Sequence, residues 1–110
     1  MGVRRADLLH GTLDLLVLKT LSVEANHGYG IAMRIHQLSD EALKVEEGSL
    51  YPALYRMEEQ GLIESEWRPT ENNRTAKYYA ITAAGRKHLD AHRKRYERVS
   101  LAVLSVLEGA

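Results

Sequence analysis

The chain of 110 residues contains no cysteine, and this absence excludes disulfide bonds, thiol redox chemistry and cysteine-bound metal sites. It contains no apolar run of the roughly 18 residues that a membrane-spanning helix requires. Its N-terminal residues lack the apolar core of a secretory signal peptide. We therefore expect a cytoplasmic protein of about one domain, without a membrane segment.

The formal net charge is zero, which is unusual for a protein whose partner is a polyanion. The charges are, however, unevenly distributed along the chain. Residues 1–67 contain 6 basic and 11 acidic side chains, whereas residues 68–98 contain 9 basic and 3 acidic ones. This separation predicts one surface that binds an anionic partner. For the basic stretch 86–98 taken alone, a solvated helix face is an equally good interpretation.

Apolar side chains at helical spacing predict three helices before Gly61. The first covers about residues 12–23 with Thr12 as its cap, and the second covers about residues 29–39. The third starts at a Ser49 cap and ends at Gly61 in a left-handed conformation. Pro52 then falls in the first turn, where its missing N–H has no helical partner. Between the second and third helices, residues 43 and 45 are apolar and alternate as in a short strand.

Two short strand-like runs flank residues 69–75, whose proline and asparagines predict a hairpin turn. Thr82 then caps a long last helix, expected over about residues 83–107. Along this helix, residues recur at alternating spacings of three and four, the pattern of a heptad seam: Leu89, His92, Tyr96, Val99, Val103 and Val106. A small domain cannot bury so long a helix, so we expect the seam to pair with a second copy of the chain. The alternative is that the seam only faces the chain's own core.

The order of these elements predicts a mainly α fold with a small β-hairpin (α+β). We expect residues 1–82 to form a winged helix-turn-helix and residues 83–110 to form a C-terminal dimerisation helix. Together they would make one compact domain.

The start of the third helix suits a phosphate group or a base edge. A helix N-terminus offers unpaired N–H groups and positive partial charge, and Gly48 allows close approach of the backbone. Ser49, Tyr51, Tyr55 and Arg56 lie where they could contact DNA, the arginine at a phosphate or a guanine. The alternative is that Gly48 and Ser49 only begin the helix and that the tyrosines only cover its surface.

The predicted hairpin has a polar, cationic tip, formed by Asn72, Asn73, Arg74 and Lys77. An arginine or lysine in this position can enter a minor groove or neutralise a phosphate. The alternative is an ordinary hairpin whose asparagines only provide left-handed backbone geometry. Because the hairpin follows a helix of the kind described above, we favour a nucleic-acid contact.

His88 and His92 are spaced as a pair of metal ligands on one helix face. No third ligand is evident in the sequence, and neighbouring arginines and lysines repel a cation, so we expect no metal site. The sequence shows no nucleophile and base pair, glycine-rich phosphate loop or paired acids. We therefore expect neither an enzyme nor a cofactor.

Five segments together resemble the PadR-like transcriptional regulators: residues 13–18 (LDLLVL), 27–31 (HGYGI), 48–54 (GSLYPAL), 61–63 (GLI) and 77–85 (KYYAITAAG). The resemblance covers about residues 8–90 and is closest to members with a short C-terminal part. It implies a winged helix-turn-helix, in most cases a repressor, that is dimeric through its C-terminal helices. It also implies that Leu8 and Leu9 join the dimer contact, and that a flat aromatic effector can bind between the C-terminal helices near Tyr96.

In this family the third helix enters the major groove, and the wing contacts the backbone or the minor groove. The resemblance carries that role to Ser49, Tyr51, Tyr55, Arg56, Asn73, Arg74 and Lys77. We expect a homodimeric repressor on a palindromic DNA operator, with activation as an alternative sign of regulation. Two other functions remain open: a winged-helix module that binds protein instead of DNA, and a zinc sensor that uses His88 and His92.

Overall fold

The computed structural model describes the backbone of residues 5–109 and the side chains of residues 11–109. Within this part of the chain, four helices and three strands follow in the order α1 (Arg5–Val23), β1 (Asn26–His27), α2 (Gly28–Leu38), α3 (Glu47–Glu59), β2 (Ile63–Pro69), β3 (Thr75–Ile81) and α4 (Ala83–Glu108). The predicted mainly α fold with a β-hairpin wing and a long last helix is confirmed.

The first helix begins well before its predicted start. α1 already includes Arg5, so Thr12 lies inside the helix and the prediction that it is the cap is wrong. The helix continues through Gly11, because a single glycine costs a helix only about 1 kcal/mol. The buried side of α1 carries Leu18 and Leu21, which belong to the core.

A short strand and a histidine cap precede the second helix. Asn26 and His27 pair with Tyr79 and Tyr78 of β3, so the sheet has the order β1-β3-β2. The Nδ1 atom of His27 then accepts a hydrogen bond from the N–H of Gly30 at 3.0 Å, which caps α2. β1 was not predicted, since two polar residues carry no strand pattern.

The predicted strand at Leu43 and Val45 is wrong. The segment between α2 and α3 is irregular, and Asp40 and Glu41 both have positive φ angles, 52° and 67°. Leu43 and Val45 are instead partly buried against the core. Their alternation therefore reflects anchoring of a loop and not pairing in a sheet.

The third helix starts three residues earlier than predicted. Its N-terminal cap is Glu46, without a side-chain hydrogen bond, and its first residue is Glu47. The Ser49 cap is therefore wrong, and the N–H of Ser49 donates to the Glu46 carbonyl at 3.0 Å. Pro52 lies one turn further inside than expected, where an ordinary residue would donate to the Gly48 carbonyl.

The third helix ends as the sequence predicted. Gly61 has a φ of 75°, and its N–H donates to the Glu58 carbonyl at 3.0 Å. The N–H of Leu62 donates to the Met57 carbonyl at 2.9 Å. These two bonds form a Schellman motif, which only a glycine satisfies without steric cost at the left-handed position.

β2 and β3 form the predicted hairpin, which we call the wing. Their register runs from the pair Ile63 and Ile81 at the inner end to the pair Pro69 and Thr75 at the tip. Asn73 adopts a φ of 58° in the connecting turn, the left-handed conformation that asparagine tolerates.

Thr82 joins the wing to α4 as predicted. Its hydroxyl oxygen accepts a hydrogen bond from the N–H of Gly85 at 3.0 Å and donates to the Gly61 carbonyl at 2.7 Å. This arrangement presses the first turn of α4 against the chain that leaves α3. α4 has 26 residues, and no helix of the described residues is long and apolar enough to cross a bilayer.

Gly85 is required where α4 crosses the Leu62 backbone. A methyl group at Gly85 would collide with the Leu62 carbonyl oxygen and with the Ile81 side chain. We expect Gly85→Ala to lower the free energy of unfolding by about 2–3 kcal/mol, as overpacking does, in urea denaturation at a fixed protein concentration. In the control Gly48→Ala, the added methyl meets nothing within 4 Å. That variant should be unchanged or more stable by up to about 1 kcal/mol. Equal losses in both variants would contradict the contact.

Candidate nucleic-acid interface

α3 presents an apolar side to the core and a tyrosine-bearing side to solvent. Leu50 and Leu54 are buried, whereas Tyr51 and Tyr55 are 45% and 68% exposed. A hydrogen bond to Glu59, together with its charge, raises the pKa of Tyr55. At neutral pH Tyr55 therefore remains an uncharged hydroxyl that can donate or accept a hydrogen bond.

The exposed start of α3 carries negative charge. Gly48 and Ser49 are both exposed, as a contact residue must be, but Glu46 and Glu47 lie directly before them and are exposed as well. Carboxylates here stabilise the helix dipole and oppose an approaching phosphate. The cations for a polyanion must therefore come from another element.

The wing supplies such a cation and is held beside α3 by Glu58. The Ser65 hydroxyl donates to Glu58 Oε2 at 2.6 Å, and the Lys77 Nζ lies 3.6 Å from Glu58 Oε1. Lys77 also lies 5.8 Å from the ring centroid of Tyr79, which is buried. Burial, and then the charge of Glu58, raises the pKa of Tyr79. Lys77 thus lies on the side of the wing that faces α3.

The tip of the wing is a fixed turn with exposed side chains. Thr70 binds the Arg74 carbonyl twice, through its N–H at 2.6 Å and its hydroxyl at 3.0 Å. Asn72, Asn73 and Arg74 are all exposed. Of the predicted contact residues, the structure thus brings Asn73 and Arg74 together at the tip.

The opposite side of the wing holds a second cation. The Arg68 guanidinium lies 5.1 Å from the centroid of the Tyr78 ring, and its Nε lies 2.6 Å from a carboxylate oxygen of Glu66. Arg68 is not among the predicted contact residues. It pairs with Ala76 in the strand register and therefore lies close to the tip, on the face of the wing opposite Lys77.

Arg56, another predicted contact residue, forms an ion pair with α1. Its Nη2 atom lies 2.5 Å from Asp14 Oδ1 on α1. The side chains of Arg56 and Asp14 are 32% and 17% exposed. The guanidinium therefore joins α3 to α1. No local pattern predicts this contact, because the two residues are 42 positions apart.

A groove of about 440 Å³ lies between the wing and the helix-turn-helix, which is formed by α2 and α3. Its lining includes three exposed aromatic side chains, Tyr29, Tyr51 and Trp67, together with Lys77. Neither Trp67 nor Tyr29 is among the predicted contact residues. The alternation of side chains along β2 is the signal that could have identified Trp67. It places Trp67 on the same strand face as Ile63 and Ser65 but further from the core.

The heptad seam of α4 is divided into two parts. Leu89 packs against the chain's own core, and His92 is half-buried. The later seam residues are exposed: Tyr96, Val99, Val103 and Val106. Tyr96, Val99, Val103 and Val106 are therefore the seam residues that are free for a dimer contact within the described chain. The dimer itself stays a prediction. The side chains of Leu8 and Leu9 lie outside the described residues.

His92 lies at the junction of α4 with α1. Its Nδ1 atom is buried and has no hydrogen-bond partner among the side chains and backbone that the structure describes. Burial lowers the pKa of His92, and the charges of Arg95 and His88 lower it further, while Asp14 on α1 acts in the opposite direction. The neutral imidazole is therefore the form that suits the folded chain.

The His88 and His92 rings are close to each other, with centroids 5.8 Å apart in an edge-to-face arrangement. No group of three or more histidine, aspartate or glutamate side chains with metal-binding geometry occurs among the described residues.

Residues 17–91 match the sequence profile of a family described as "Transcriptional regulator PadR-like family". A protein of Lysinibacillus sphaericus is 27% identical over 105 residues, which cover 96% of this chain and 96% of that protein. The transcriptional regulator YqjI of Escherichia coli is 30% identical over 109 residues, which cover 99% of this chain and 51% of YqjI. The chain thus spans about half the length of YqjI.

A solved structure has nearly the same fold. The PadR-like transcriptional regulator of Bacillus cereus superposes with a TM-score of 0.79 at 31% identity, and the match covers 94% of this chain and 98% of that one. The likeness therefore includes the wing and most of α4.

The lowered pKa of His92 makes the stability of the fold depend on pH. The unfolded chain binds a proton near the ordinary pKa of 6.5, and the folded chain binds it only at lower pH. This contribution to stability is therefore fully present above pH 6.5 and is lost as the pH falls through the lowered pKa. We expect chemical denaturation at several pH values to give a shallower pH dependence for His92→Gln than for the unsubstituted chain. An identical dependence would contradict this assignment.

Proposed function

The chain belongs to the PadR-like family of transcriptional regulators, and on that basis we propose that it binds a duplex DNA operator through α3 and the wing. The observation that carries this proposal is the contact of Glu58 with Ser65 and Lys77, which holds the wing and its cation Lys77 beside the tyrosine-bearing side of α3. Members of this family are regulators and not enzymes.

The two elements have different roles in the proposed complex. α3 enters the major groove, where its exposed side chains Ser49, Tyr51 and Tyr55 meet base edges and sugars. The wing lies along the backbone or the minor groove, with contacts from Asn73, Arg74 and Lys77. Arg56, which the resemblance would place on DNA, instead holds α3 against Asp14 in this proposal.

We further propose that the chain acts as a homodimer. Residues 83–110 form the dimerisation helix, and residues 1–82 form the DNA-binding part. A two-fold axis through the paired helices requires a palindromic operator with half-sites about one helical turn, roughly 34 Å, apart.

Repression in the cytoplasm is the regulatory outcome that we propose, because an operator occupied by a dimer blocks access to a promoter that overlaps it. A flat aromatic effector would bind between the two α4 helices. Tyr96, 46% exposed on the seam, is the side chain available there for stacking.

Selection of bound fragments from random duplex DNA tests the central proposal. The full chain should enrich an inverted repeat at both a low and a high salt concentration, with weaker binding at high salt. A winged-helix module that binds only proteins would enrich no sequence. Failure to enrich any inverted repeat would contradict the proposed operator binding.

Arg74→Ala tests the wing contact. Each phosphate contact adds about 0.9 to the slope of log K against log salt concentration. We expect the variant to bind all duplexes more weakly. The magnitude of the slope should fall by about 0.9 for each wing of the dimer that loses a phosphate contact. Fluorescence anisotropy of labelled DNA measures both quantities.

The matched control is Arg93→Ala, which removes a cation of α4 that lies 3.5 Å from Glu97. If the basic stretch of α4 is a solvated face, this control keeps the full slope. If the slope is unchanged in Arg74→Ala but reduced in Arg93→Ala, the phosphate contact belongs to α4 and the proposed wing contact is wrong.

Val103→Glu tests the dimer. Val103 is 51% exposed in the single chain and lies in the middle of the exposed seam. A carboxylate buried there has no partner, so we expect the dimer dissociation constant to rise at least about a hundredfold. Light scattering at micromolar concentration should then report a monomer.

Leu101→Glu is the control for that substitution. Leu101 is 65% exposed but lies two positions from both Val99 and Val103, and so on the other side of the helix. This variant should keep the mass of the dimer. A monomeric unsubstituted chain, or an equal effect of both substitutions, would contradict the seam.

A further inference from the structure

The groove between the wing and the helix-turn-helix is unusually aromatic for an exposed surface. Trp67 is 69% exposed, Tyr29 is 60% exposed and Tyr51 is 45% exposed. The Tyr51 ring packs against Gly28, where an added methyl group would be 2.7 Å from the phenol oxygen. A tryptophan exposed to this extent leaves a large apolar surface in water, which is a feature of binding surfaces.

The position of Trp67 in the strand register separates it from the residues that anchor the wing. On this face of the ribbon, Ser65 and Tyr79 form the first pair outward from Ile63 and Ile81, with Ser65 bound to Glu58 and Tyr79 buried. Trp67 and Lys77 form the next pair outward on the same face. The indole therefore adds little to the core and stands directly opposite an ammonium group.

The charges around the groove identify the class of its occupant. Lys77 lies opposite Trp67 on the neighbouring strand, and Arg74 is exposed at the tip. An anionic partner that also offers apolar surface fits this combination. Duplex DNA does so, since its phosphates alternate with deoxyribose groups along each strand.

We propose that Trp67 packs its indole against deoxyribose groups of the DNA strand that the wing follows. The inference rests on the proposed DNA binding and adds a contact of another kind. Lys77 and Arg74 contribute through counterion release, which salt weakens. Trp67 contributes through apolar contact, which salt hardly affects, and its indole N–H can donate to a phosphate oxygen.

The tryptophan fluorescence of the protein reports on this contact directly, because Trp67 is the sole tryptophan of the chain. The probe is the inverted-repeat duplex enriched by selection, added to the full chain at a fixed protein concentration. We expect saturating DNA to shift the emission and to protect Trp67 severalfold from acrylamide quenching. Inorganic polyphosphate, a polyanion without deoxyribose, should occupy the cations and leave the quenching unchanged.

Substitutions separate the apolar contact from the ionic one. Trp67→Ala should weaken DNA binding roughly ten- to a hundredfold, in the range of aromatic stacking contacts, with the same salt slope as the unsubstituted chain. Lys77→Ala should instead reduce the slope by about 0.9 per lost phosphate contact. Trp67→Phe should retain most of the affinity, and circular dichroism should show that all three variants are folded.

The outcomes distinguish this inference from the proposal on which it rests. If the duplex binds in anisotropy while Trp67 remains as accessible to acrylamide as before, the inference is overturned and DNA binding stands. If Trp67 becomes protected as the protein concentration rises without DNA, a second copy covers the groove and the inference is also overturned. If no duplex binds at all, both fail together.

Discussion

Glu58 fixes the wing to α3, and the candidate interface depends on that contact. Its hydrogen bond from Ser65 has a charged acceptor, a class worth about 1.5–3 kcal/mol. Its ion pair with Lys77 spans 3.6 Å between side chains that are 33% and 40% exposed, a class worth about 1 kcal/mol or less. The hydrogen bond, together with buried Tyr79, therefore sets the orientation of the ribbon. The weakly paired ammonium of Lys77 can turn to a phosphate at little cost.

The distribution of charge explains how a chain with no net charge can suit a polyanion. Acidic residues surround the exposed start of α3, including Glu46 and Glu47, whereas the exposed cations Arg68 and Arg74 lie on the wing. Carboxylates next to the start of α3 weaken the attraction of any phosphate at that point. In the proposed complex, affinity for the backbone comes from the wing, and the tyrosine-bearing side of α3 is left to read shape and base edges.

Three helices meet at one small polar junction. Asp14 on α1 binds Arg56 of α3. The charge of Asp14 also acts on His92 of α4, whose pKa it raises. Leu89 of α4 packs on the core nearby. The helix proposed to enter DNA and the helix proposed to pair with a second copy are thus both supported by α1. The exposed seam begins only after this junction, at Tyr96, because the earlier turns of α4 are used within the chain.

The sequence by itself determined the features that depend on a few neighbouring residues. Gly61 ends α3 through a left-handed turn, and Thr82 caps α4, because both act on backbone groups within four residues of themselves. Only the tertiary structure decided the rest. The partner of Arg56 is Asp14, far away in sequence, and the strand Asn26–His27 exists because β3 offers it free backbone groups. Contacts between distant segments depend on how the whole chain packs, and no local pattern of residue types encodes them.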